Sequence, residues 1–108
     1  MKKSIIVAAV ISVLAAWTVR ADDSQALYAK QCAKCHGEDG KGQTKMGKKL
    51  GAKDYTDAKV QDALKDDAAV KAIKEGLKHD DKTLMKPAEG LTGDQINGLV
   101  AYMRAFKK

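Results

Sequence analysis

The chain has 108 residues, room for one domain, and its 20 lysines and arginines outnumber 14 aspartates and glutamates, for a formal net charge of +6. The basic residues form no patch interleaved with aromatics, which excludes the usual nucleic-acid footprint. No internal repeat, low-complexity tract or long linker divides it.

Residues 1–21 have the three-part layout of a secretory signal. Lys2 and Lys3 give a positive start, Ile5 to Trp17 is apolar apart from Ser12, and Val19-Arg20-Ala21 offers small residues for a peptidase. The competing reading is a membrane anchor, but the apolar run is shorter than the ~20 residues that a spanning helix needs. Cleavage after Ala21 leaves residues 22–108 as the working domain, without a membrane span, and places it in the periplasm. It also removes Lys2, Lys3 and Arg20 and no acidic residue, which lowers the net charge from +6 to +3. The aromatics that remain are Tyr28, Tyr55, Tyr102 and Phe106. That is a thin core for so small a domain, and a large apolar cofactor at its centre would remedy it.

The working domain reads as helices joined by loops, since nothing alternates with period two. A first helix is expected from Ser24, a good N-cap residue, through Leu27 towards Cys32. The segment Gly37 to Asp54 carries five glycines among its lysines and reads as a loop. Tyr55–Lys65 and Asp66–Glu75 are expected as two short helices, with Gly76 stopping the second. Leu77 to Leu91 reads as another loop and holds the only proline, Pro87. In the last helix Thr92 and Gln95 fit a capping box. Ile96, Leu99, Val100, Met103 and Phe106 then fall on one face, and Lys107 and Lys108 stand where the helix dipole favours cations.

Both cysteines lie in Cys32-Ala33-Lys34-Cys35-His36, the spacing of covalent haem attachment. Two thiols separated by two residues reach the two vinyl groups on one porphyrin edge and form thioethers. The next residue, His36, then supplies the proximal imidazole to iron. Three rivals exist. A redox-active disulfide belongs with a strand-then-helix pattern that is not visible here. A structural zinc needs four ligands, and His79 is the one other strong candidate. A structural disulfide beside a surface histidine is the third. The export signal and the Gly-rich segment after the motif favour one covalent haem c.

The second axial ligand decides function, because a soft thioether raises the reduction potential whereas an open site invites ligand or peroxide chemistry. Met103 lies on the buried face of the last helix and reads as core. Met46 follows His36 so soon that the chain would have to turn quickly round the haem edge. Met85, 49 positions beyond His36 and near the constraining Pro87, has the length of chain needed to reach the distal face. His79, among Lys78, Asp80 and Asp81, reads as solvent-facing and is the rival ligand.

With these residues in place, the chain resembles a small bacterial class I cytochrome c of the c5, c6 and c551 type. The likeness runs from Leu27-Tyr28 through the Cys32–Gly37 motif to Leu84-Met85-Lys86-Pro87 and Leu99-Val100-Ala101-Tyr102. The resemblance implies an all-α class I cytochrome c fold, about four short helices wrapped around one covalently bound haem, with Tyr102 packing near Tyr28. It further implies thioethers at Cys32 and Cys35, axial ligands His36 and Met85, and a monomer that shuttles electrons between redox protein partners. Two departures stand out. Many relatives place a proline after the Gly-rich loop whose carbonyl accepts a hydrogen bond from the proximal histidine, and Met46-Gly47-Lys48-Lys49-Leu50 has none. Lys86 also separates Met85 from Pro87.

The expected function is therefore a periplasmic one-electron carrier rather than an enzyme, with Lys34, Lys41, Lys45, Lys48, Lys49 and Lys86 available to steer an acidic partner. The alternatives are a haem subunit or sensor module of a larger periplasmic complex, and a peroxide-reactive haem protein with a labile sixth ligand.

Overall fold

The computed structural model describes residues 21–108; the expected signal, residues 1–21, lies outside the described residues except for Ala21. The elements are α1 (Ala21–Gln31), α2 (Ala33–His36), α3 (Lys45–Leu50), α4 (Ala58–Ala63), α5 (Asp66–Glu75), β1 (Leu77–His79), β2 (Lys82–Met85) and α6 (Gly93–Arg104). Among the described residues no helix is long and apolar enough to cross a membrane.

The last helix follows its sequence closely. Thr92 accepts from the Gln95 amide while the Gln95 side chain accepts from the Thr92 amide, the reciprocal capping box. Ile96, Leu99, Val100 and Met103 are buried along one stripe. That stripe packs against α1 and α5. Ala69 joins Val100 and Met103 from α5, and Tyr55, Leu64, Val70 and Ile73 close over them. On the α1 side the Tyr28 ring lies 4.9 Å from Tyr102 and 5.3 Å from Phe106. The first and last helices are thus joined through three aromatic rings, which supply apolar area that a chain this short otherwise lacks.

The all-α expectation holds, with four differences. Helix α1 begins at Ala21, so Ser24 is not its cap but a residue of its interior, 4% exposed. The segment expected as a loop after the motif contains α3, capped by Thr44, whose hydroxyl accepts from the Gly47 amide. The loop expected at Leu77–Leu91 contains an antiparallel hairpin pairing Leu77 with Met85, Lys78 with Thr83 and His79 with Lys82. Its two-residue turn, Asp80-Asp81, has φ of 47° and 63°, the left-handed geometry that matches the twist of a tight hairpin. Both strands are largely exposed, so no apolar alternation marks them in the sequence. Asp66–Glu75 and its stop at Gly76 match expectation, whereas the helix expected at Tyr55–Lys65 shortens to α4, begun by the Asp57 side chain.

Candidate haem-attachment site

Cys32 ends α1 and opens α2, so the chain stays helical through the motif. The Cys32 amide donates to Tyr28 O and the His36 amide to Cys32 O. Residues three and four apart share a helix face, so Cys32, Cys35 and His36 come together on one side. The carbonyls at the end of this short helix are each met. Cys35 O accepts from the Thr44 hydroxyl at 2.9 Å, His36 O from the Gly42 amide at 2.8 Å, and Gly37 O from the Tyr28 hydroxyl at 2.6 Å. Burial, and then the neighbouring Cys32, keeps the Tyr28 hydroxyl protonated well above its ordinary range, which secures it as a donor. Helix α3 also presses on the motif through Gly47, where any Cβ would strike the Cys35 carbonyl oxygen. The motif is therefore held from α1, α3 and the loop between.

The electrostatics bear on the rival readings. Burial, with Cys35 beside it, pushes the Cys32 thiol up to about 11, whereas thiols built for disulfide exchange have lowered values. Both cysteines are free. Among the described residues no group of three or more His, Cys, Asp or Glu side chains is placed to hold a metal ion, so a four-ligand zinc site has no support. His79 sits on the hairpin with its side chain 78% exposed, 3.3 Å from Asp80.

Burial holds the His36 pKa below the ordinary histidine value, so the ring is neutral at pH 7 and able to coordinate a metal. Its Nδ1 is buried without a hydrogen-bond partner among the described residues. None of those residues replaces the acceptor that the missing proline would have supplied. The Tyr55 ring lies 5.4 Å from that of His36, tilted by 36°.

Met85 is carried separately, at the end of β2, half-buried. Gly76 fixes this end of the hairpin: its φ is +78°, and a Cβ there would lie 2.5 Å from Met85 O and 3.0 Å from Pro87. The Ala88 amide donates to Ile73 O and ties the segment after Pro87 to α5. Leu77, the cross-strand partner of Met85, is a large apolar side chain left 49% exposed. Met103 is core at 8% exposed, and Met46 sits half-buried on α3. Two thiols and a neutral imidazole on one helix face, with an apolar surface beside Met85, are chemically suited to a haem. Sequence reasoning missed Thr44, Gly47 and Tyr55. For Thr44 the signal was present, an N-cap residue three positions before Gly47; for the other two only the fold reveals the role.

Comparison with known proteins agrees. The family described as cytochrome c oxidase, cbb3-type, subunit III matches residues 19–103. The solved structure of the KustC0563 c-type cytochrome is 36% identical, covers 79% of this chain and 98% of its own, and superposes with a TM-score of 0.69. A tyrosine-to-phenylalanine mutant of that protein gives 35%, 79%, 99% and 0.67. A chain of the Kuenenia stuttgartiensis reducing HAO-like protein complex Kustc0457/Kustc0458 is 22% identical over 83% of this chain and 43% of its own, TM-score 0.60, and shares the fold. No curated protein matches.

Proposed function

The chain belongs to the c-type cytochrome family described as cytochrome c oxidase, cbb3-type, subunit III, and from that premise we propose that it is an exported one-electron carrier with His36 and Met85 as axial ligands. Its cofactor is a covalently bound haem c, as in the c-type cytochromes it is similar to. That group supplies a reversible one-electron iron couple.

The observation that carries the reading is the single helix face bearing two free thiols and a neutral imidazole. On this reading Cys32 and Cys35 form the thioethers, and His36 offers Nε2. Thr44, Gly42 and Tyr28 hold the motif backbone still, so little rearranges when the charge at the iron changes. Gly76 shapes the backbone beside Met85, and Leu77 stands opposite Met85 across the hairpin. Among the described residues the one histidine outside the motif is His79, which the hairpin carries in solvent. That favours a carrier over a peroxide-reactive enzyme.

Export places the motif where bacterial haem c is attached. The mature protein should therefore begin at Asp22, which N-terminal sequencing of the purified holoprotein checks. The ferric holoprotein should show a sulfur-to-iron absorption band, and the reduced protein should not bind carbon monoxide. Met85→Ala should abolish that band and open the iron to carbon monoxide; a retained band would point to Met46 instead. The family's description as an oxidase subunit favours one second reading, a haem module held permanently in a periplasmic complex. A carrier purifies from its host alone, as a monomer, whereas a module co-purifies with fixed partners.

A further inference from the structure

An iron-bound histidine is ordinarily held in orientation by an acceptor for its second ring nitrogen. Among the described residues His36 has none: Nδ1 is buried and unpaired. The ring nevertheless has a defined neighbour in Tyr55, 5.4 Å away and tilted by 36°. Tyr55 is itself clamped at both backbone groups. Its amide donates to Gly40 O at 2.8 Å, and its carbonyl accepts from Gln61 Nε2 at 2.7 Å. Gln61 is 3% exposed and fully engaged, since Nε2 also donates to Met103 O and Oε1 accepts from Arg104 at 2.9 Å. Arg104 donates as well to Gln61 O, to Leu64 O and to Asp66, which fixes the guanidinium. A continuous chain of hydrogen bonds thus runs from the end of α6 to the residue packed on His36.

We propose that Tyr55, held by the Gln61–Arg104 clamp, is the positioning residue for His36, setting the plane of its imidazole by ring contact in place of a hydrogen bond to Nδ1. The contact needs the aromatic ring and not the hydroxyl. The proposal rests on His36 being the proximal ligand.

The test uses haem-loaded holoprotein. Haem-methyl hyperfine shifts in the ferric NMR spectrum report the orientation of axial ligand planes. Tyr55→Leu should shift that pattern, and Tyr55→Phe should retain the parent pattern. If Tyr55→Leu lowers the melting temperature but leaves the hyperfine pattern of the parent, Tyr55 is merely structural and the proposal is overturned. Should Tyr55→Leu fail to fold, the parent protein decides. With 15N-labelled histidine in the ferrous state, the His36 Nδ1 proton should resonate upfield, where imidazole protons lacking an acceptor lie, and show contacts to the Tyr55 ring. A strongly downfield Nδ1 proton without those contacts overturns the proposal while leaving His36 as ligand. Absence of any iron-shifted His36 ring resonance from the ferric parent overturns the ligand reading itself, and the positioning role with it.

Discussion

At the residue scale, the haem site divides into side chains that do the chemistry and backbone that must be in the right place. On the proposed reading Cys32, Cys35 and His36 belong to the first group, and their spacing alone suggests them, because attachment chemistry dictates it. Gly47 belongs to the second, and its role arises from a helix that approaches the Cys35 carbonyl too closely for any Cβ. Nothing in Met46-Gly47-Lys48 announces this, since a glycine among lysines looks like loop. Gly47→Ala should therefore cost about 1–3 kcal/mol, as overpacking does, and lower the yield of haem-loaded protein. Thermal unfolding of the holoprotein measures it, with Gly51→Ala as comparison. Gly51 has open space around it but a φ of +75°, so its cost should be conformational alone and leave the haem spectrum unchanged. For the second nitrogen of His36 two separate observations stand side by side: the usual proline is absent, and Nδ1 has no partner among the described residues.

At the element scale, elements whose instructions are local were legible and those stabilised from outside were not. Helix α6 carries its own start signal, and Thr92→Ala should remove the hydroxyl half of the capping box for about 1 kcal/mol while the residue 92 amide can still donate to Gln95, read as a fall in denaturation midpoint with an unchanged haem spectrum. Helix α3 has six residues, too few to stand alone; it exists because it lies on the motif. The hairpin is the other miss. Its turn holds two aspartates in left-handed backbone, a conformation that disfavours side chains by roughly 1 kcal/mol each. Asp81→Gly should accordingly raise stability by up to about 1 kcal/mol, which a denaturant titration resolves. Gly76 acts in the opposite sense, because its φ of 78° and ψ of −176° fall in a region kept almost wholly for glycine. Gly76→Ala should cost about 1–3 kcal/mol and push on the Met85 carbonyl. If Met85 ligates iron, the sulfur-to-iron band should weaken in that variant.

At the scale of the whole molecule, charge and closure matter most. Lys34 lies exposed on α2, and Lys45, Lys48 and Lys49 lie exposed on α3, the two helices that adjoin at the motif. A partner that docks over this end meets these cations first. Electron transfer to an acidic partner should then fall about tenfold or more from low to high ionic strength. Indifference to salt in stopped-flow transfer would assign the lysines to solubility alone, given Glu38 and Asp39 close by in the chain.

Closure of the domain joins contacts of very different range along the chain. The Phe106 ring lies over Gly40, where a Cβ would meet it at 2.6 Å, and against Tyr28 and Tyr102. The Lys108 amide reaches back to Thr56 O. The thiols and the imidazole are grouped by neighbours a few positions away in the chain. The rings that seal the loop behind them come from α6 and the turn after it. The motif therefore groups its thiols and imidazole through contacts within its own stretch of chain, while the fastening of that stretch comes from distant residues, so loosening the ring cluster should leave the motif formed but unlatched.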